Sequence, residues 1–140
     1  MSLAWTGHGR LLRGELSVRN VGAVRVRLSG KPQLIPLGLD GSELPVPCIN
    51  TLEFRPPSYV DLDPGETAIS NVNWGGHWDG ANPSGRFVVK WRGGSSQVTA
   101  SGPRHPIGSV QATNIMAGWF QRAAQPGVAI SGPEWSAQPE

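Results

Sequence analysis

His77, Trp78 and Asp79, within the stretch WGGHWDG at residues 74–80, are the residues whose types and spacing most suggest chemistry. A histidine and a carboxylate two apart could ligate a metal, and a tryptophan set among glycines could stack on a sugar ring or on a partner's apolar surface. A stable metal site needs three or four ligands, however, and the other histidines, His8 and His105, lie far away in sequence. No metal and no cofactor is expected. The candidates for ligand contact are His77, Trp78, Asp79 and Asn82, with Asp79 or Asn82 as hydrogen-bonding partners to a ligand stacked on Trp78.

For catalysis the pattern search is mostly negative. The chain contains no Gly-x-Ser-x-Gly, no His-Glu-x-x-His, no Gly-x-x-x-x-Gly-Lys-Ser/Thr and no Cys-x-x-Cys. Asp61 and Asp63 sit two apart and could form an acid–base pair, but the same spacing is the ordinary entry to the turn Asp63-Pro64-Gly65-Glu66. A hydrolase would have to assemble its site from distant residues, for example His105 with Asp61. No enzyme activity is expected.

Composition narrows the elements that must hold these residues. A chain of 140 residues with 38% apolar content has the length and core of one domain. Its 19 glycines and 13 prolines favour short strands and turns over long helices. A net charge of +2 is too small to argue for nucleic acid, and no apolar run approaches the length of a membrane span. Arg25 and Arg27 alternate with Val24, Val26 and Leu28, which reads as a strand with its arginines in water and its apolar residues inward. Cys48 is the single cysteine, so no intramolecular disulfide is available.

Along the chain, Leu12, Leu16 and Val18 share one face of a first strand, and 24–28 form the second. Residues 32–44 give a third strand with Asp40-Gly41 as its turn, and Pro36 demotes that strand to an edge or bulge. The proline-rich stretch 44–58 reads as an extended connection. After the Asp63–Glu66 turn, Ala68, Ser70, Val72 and Trp74 alternate on one face, and Phe87, Val89 and Trp91 do so on a later strand. Trp74 and Trp91 are thus expected in the core, and Trp78, beyond the strand end, in water. Residues 114–124 read as one short helix with Ile115, Met116, Trp119 and Phe120 apolar, stopped by Pro126-Gly127.

The series Leu16-Ser17-Val18-Arg19-Asn20-x-Gly22, Val26-Arg27-Leu28-Ser29-Gly30-Lys31-Pro32, Leu39-Asp40-Gly41, Val60 to Ala68 (VDLDPGETA) and Asn73-Trp74-Gly75-Gly76 resembles an uncharacterised family of actinobacterial secreted or lipoprotein β-sandwich domains. The resemblance covers roughly residues 11–106 and implies a domain of the cell envelope with no assigned activity. It also implies a disulfide whose two positions are here Val26 and Gly75, with the tryptophans substituting for the lost bridge.

The expected architecture is an all-β, antiparallel immunoglobulin-like β-sandwich of about seven strands. Residues 1–10 are expected to be a leader or linker, 11–107 the sandwich, and 108–140 a C-terminal extension holding one short helix. The expected function is a non-catalytic extracytoplasmic binding or structural module of the cell envelope, with a protein or glycan partner, no nucleic acid and no membrane insertion by this segment. The alternative is a small carbohydrate-binding module using Trp78.

Overall fold

A computed structural model describes residues 1–7, 11–49, 59–75, 82, 84–102 and 114–123. The described chain is all-β: β1 (Ser2–Gly7), β2 (Leu11–Arg19), β3 (Val26–Ser29), β4 (Gln33–Pro36), β5 (Tyr59–Leu62), β6 (Thr67–Gly75), β7 (Arg86–Trp91), β8 (Gly94–Ser101), β9 (Asn114–Ala117) and β10 (Gln121–Arg122). Among these residues there is no helix, and so none long and apolar enough to cross a membrane.

Eight strands form one mixed sheet in the order β10-β6-β2-β1-β8-β7-β4, with β9 also on β6, while β3 and β5 pair as a separate two-stranded ribbon. Every pairing is antiparallel except β1 with β8, where Leu3 and Ala100 run side by side. The sheet curls until its two ends meet, giving a nearly closed, barrel-like body. The extended segment 44–49 fills the seam. Ile49 N–H donates to the Ile115 carbonyl (2.7 Å) and Ile115 N–H to that of Pro47 (2.9 Å), which ties the segment to β9. On its other side Leu34 N–H of β4 donates to Cys48 Sγ at 3.5 Å. Unpaired strand edges are costly and prone to aggregation, and this segment covers two of them at once.

Two regions differ from the sequence expectation. Residues 1–10, expected as a leader, supply β1, a central strand that buries Leu3 and Trp5. Trp5 lies across β2 against Gly14, where a Cβ would come about 2.5 Å from the indole Cε3, so the cross-strand partner must be glycine. Residues 114–123, expected as a helix, are β9 and β10 instead. Between the Trp74–Ile115 and Ala68–Arg122 pairs β6 advances six residues and its partner seven, so the two strands are one edge strand interrupted by a single-residue bulge. The bulge lets Ile115, Ala117 and Phe120 all point inward, which mimics helical spacing in the sequence. Gly118 weakens a helix there, while the open edge of β6 offers a full row of hydrogen bonds.

The core forms where inward positions of β1, β2, β6 and β7 converge. Trp5, Trp74 and Phe87 make a mutual cluster with ring centroids 5.9–6.3 Å apart and tilted or edge-on planes, the favoured aromatic geometry. Ala68, Ser70, Val72 and Trp74 alternate inward along β6 as expected, and Ser70 satisfies its hydroxyl on the Gly118 carbonyl (2.8 Å). Trp74 is fully buried, whereas Trp91 is only half-buried at the end of β7. Val24 falls outside β3 at 70% exposure and Val26 is 37% exposed, so of the expected inward series only Leu28 enters the core.

The two positions implied for a vanished disulfide are not neighbours. Val26 pairs with Leu62, whose carbonyl accepts from Asn20 Nδ2 (3.0 Å) at the Thr67 end of β6. Gly75 sits at the other end of β6, opposite Leu11. Nine residues of strand hold the two ends about 26 Å apart at ~3.3 Å per step, far outside disulfide reach.

Candidate functional site

Of the expected contact residues, His77, Trp78 and Asp79 lie outside the described residues, as do His8 and His105. Asn82 is described, and it is fully buried. Its Nδ2 donates to the carbonyls of Leu37 (3.0 Å) and Arg86 (3.2 Å), and Ser84 Oγ donates to Leu37 as well (2.7 Å). Asn82 therefore staples the chain entering β7 to the chain leaving β4. A buried amide that makes these bonds stabilises a unique path for two otherwise irregular segments.

Asp61 and Asp63 are likewise taken up by structure. Asp61 accepts a forked pair of bonds from Arg27, Nε to Oδ1 at 2.7 Å and Nη2 to Oδ2 at 3.1 Å. The arginine holds this carboxyl below the usual carboxylate range, principally by hydrogen bonding. Asp63 faces Arg25 at 3.4 Å, and its N–H donates to Glu66 Oε1 (2.7 Å) within the expected turn, where Gly65 takes φ 87°. Asp61, its carboxyl held low by Arg27, is a poor proton donor near neutrality.

Among the described residues, Lys31, Gln33, Cys48, Lys90, Trp91 and Arg92 line an open groove of about 340 Å³. Its parts come from four places. Gln33 of β4 stands opposite Lys90 of β7 in the ladder, so two polar side chains line it from adjacent strands. Trp91 ends β7, and Arg92 begins the two-residue turn to β8, closed by Gly93 at φ 98°. Lys31 follows the Gly30 turn after β3, and its Nζ lies 5.1 Å from the centroid of Trp119 on the β9–β10 bulge. Cys48 comes from the seam segment.

Trp91 is held in place by a close approach. A Cβ on Gly94 would fall 2.8 Å from its Cζ2 and 3.2 Å from its Nε1, so the indole rests on bare backbone across the hairpin. The ring also packs against the core, which fixes its orientation while leaving part of it at the groove.

The electrostatics are one-sided. Three cations line the groove, and no carboxylate and no histidine does so among the described residues. Burial pushes the Cys48 thiol above its ordinary value, against a smaller opposing effect of the Leu34 N–H bond. A thiol kept protonated, with no base lining the same groove, is a weak nucleophile. The arrangement can hold an anion.

By its alternation with Phe87 and Val89, Trp91 reads in the sequence as a core residue. The readable signal was the triplet Lys90-Trp91-Arg92 directly before Gly93-Gly94, basic and aromatic side chains displayed at a hairpin end. Lys31, Gln33 and Cys48 carried no local signal, because only the curl of the sheet brings them to that hairpin.

No family model, curated protein or solved structure matches the chain.

Proposed function

We propose that this protein is a non-catalytic binding module of the cell envelope, acting outside the cytoplasm. The observation that carries this reading is the groove: three cations, a glutamine and a tryptophan around an open space, without a general base among the described lining residues. The scaffold supports it. The described polar side chains that reach the interior, Asn20, Ser70 and Asn82, are bonded to backbone carbonyls, so the interior holds the sheet together and contact falls to the rim. The placement in the envelope rests on the family resemblance, which without the disulfide stands on its turn motifs alone: Asn20-x-Gly22, Asp40-Gly41 and Asp63-Pro64-Gly65-Glu66. We read the curled sheet as a closed relative of the immunoglobulin-like sandwich, on the strength of its dominant antiparallel pairing.

The test is direct. Purified protein is mixed with isolated actinobacterial cell walls and, separately, with chromogenic ester, glycoside, phosphate and peptide substrates. Co-sedimentation with the walls and no turnover are expected. Turnover of any substrate, or no association with the walls, overturns the reading, as does recovery of the full-length protein from the cytosolic fraction of its own cells.

A further inference from the structure

The groove is more selective than a generic contact surface. We propose that it is a site for an acidic glycan, in which Lys90 and Arg92, assisted by Lys31 and Gln33, hold the oxyanion of a sugar phosphate or uronate while Trp91 packs against the adjoining sugar ring. This rests on the reading of the chain as an envelope-binding module.

Each part of the ligand follows from a part of the groove. Lys90 and Arg92 flank Trp91 in sequence, are exposed, and make no ion pair among the described residues. An ammonium and a guanidinium lining the same groove as the ring give an oxyanion both a point charge and a planar fork. The guanidinium matches carboxylate and phosphate alike, so the shared chemistry is the oxyanion. Gln33, paired with Lys90 across the ladder, carries both a donor and an acceptor and suits hydroxyl groups. Trp91, seated on Gly94, offers an indole that is already immobilised, so stacking costs little further ordering.

The dimensions favour a glycan over a nucleic acid. A space of about 340 Å³ has room for one or two sugar-sized units and lies at the small end of ligand pockets. Single-stranded nucleic acid is held by a track of several aromatic platforms along a long positive groove, and here one tryptophan among the described lining residues serves one short groove. The net charge of +2 would also give weak non-specific attraction to a polyanion as dense as a duplex.

The test uses isothermal titration of the intact protein with three probes: polygalacturonate, a glycerol-phosphate polymer and neutral dextran, with a mixed-sequence oligonucleotide as competitor. Binding of at least one acidic polymer, weakening as salt rises, is expected, with dextran silent. The double variant Lys90→Glu/Arg92→Glu changes only exposed side chains and should bind at least tenfold more weakly with an unchanged melting curve; Lys90→Gln/Arg92→Gln gives an intermediate loss and guards against misfolding of the first. Trp91→Leu should cost about fivefold, and Trp91→Tyr less. Dextran binding as tightly, undiminished binding by the charge variants, binding to neither acidic polymer, or preference for the oligonucleotide overturns the proposal. If cell-wall association survives in the charge variants, the groove assignment fails and the envelope reading stands; if no association exists in the parent protein, both fall.

Discussion

Two basic regions of this protein meet opposite fates. On the β3–β5 ribbon and β10, Arg27 forks onto Asp61 and covers the Tyr59 ring at 3.7 Å, Arg25 faces Asp63, and Arg122 reaches Glu66 (3.0 Å) and the Asp61 carbonyl (2.6 Å). At the groove, Lys31, Lys90 and Arg92 converge with no carboxylate among the described lining residues. The paired region closes on itself, since each arginine there is directed at an acid of the same small patch. The groove presents its charge outward. Charge of one sign thus joins the ribbon to the sheet in one place, while Lys90 and Arg92 make no ion pair among the described residues in the other, and separating the two roles by mutation is the way to challenge the comparison.

The largest effect is expected at Asn20, on which the paired region hangs. Its side chain bonds the Val24 and Leu62 carbonyls and accepts from Gly22 N–H (3.0 Å), while its backbone bonds Gly65 and Glu66. Asn20→Ala should lower unfolding free energy by about 3 kcal/mol in a denaturant titration, because buried carbonyls lose their donors, with groove binding by the folded fraction unchanged. A loss of ligand affinity in that variant would mean that the two regions are coupled.

Next comes Gly94→Ala. The new methyl would crowd the Trp91 indole, and either the hairpin or the ring must shift. We expect about 1–2 kcal/mol of destabilisation by thermal melt together with weaker acidic-glycan binding, the reverse of the Asn20 pattern.

Arg27→Gln should have a smaller effect, since the ion pair is open to solvent. Its contribution has a definite pH sense. The folded-state value of Asp61 is depressed, so the pair's stabilisation is present above the ordinary carboxylate value of about 3.9 and is lost as pH falls through the depressed one. The difference in stability between parent and variant should therefore shrink on acidification below that range, and a difference that persists at the acid end would assign the effect to packing on Tyr59.

The smallest effect is kinetic. The raised Cys48 thiol should react slowly with iodoacetamide at pH 7 and roughly tenfold faster per pH unit until it titrates above the usual value of about 8.5. Bound acidic glycan should slow it further, because the thiol lines the same groove. Reaction at neutral pH as fast as in the unfolded chain would show the seam to be open.

Legibility in the sequence followed locality. The alternation of β6, the Asp63–Glu66 turn and the Asp40-Gly41 turn, where Gly41 takes φ 85°, all depend on neighbours within a few residues. Leu12, Leu16 and Val18 were readable on β2, and the interruption at Gly14 is explained only by Trp5 arriving from β1. The candidate site was legible only at Lys90-Trp91-Arg92. Asn82, expected as a hydrogen-bonding partner to a ligand on Trp78, is buried and bonds the chain between β4 and β7.

What the sequence by itself determined is the all-β character, the inward row of β6 with Trp74 in the core, and the turns that glycine and proline impose. These are set by backbone sterics and by period-two burial, which act residue by residue. The tertiary structure alone decided that residues 2–7 become a central strand, that 114–122 lie extended on β6, that 44–49 seal the seam, and that Lys31 and Cys48 join the Lys90 hairpin. Each of these satisfies hydrogen-bonding groups or buries surface belonging to a distant segment, and a local pattern carries no record of the partner that will complete it.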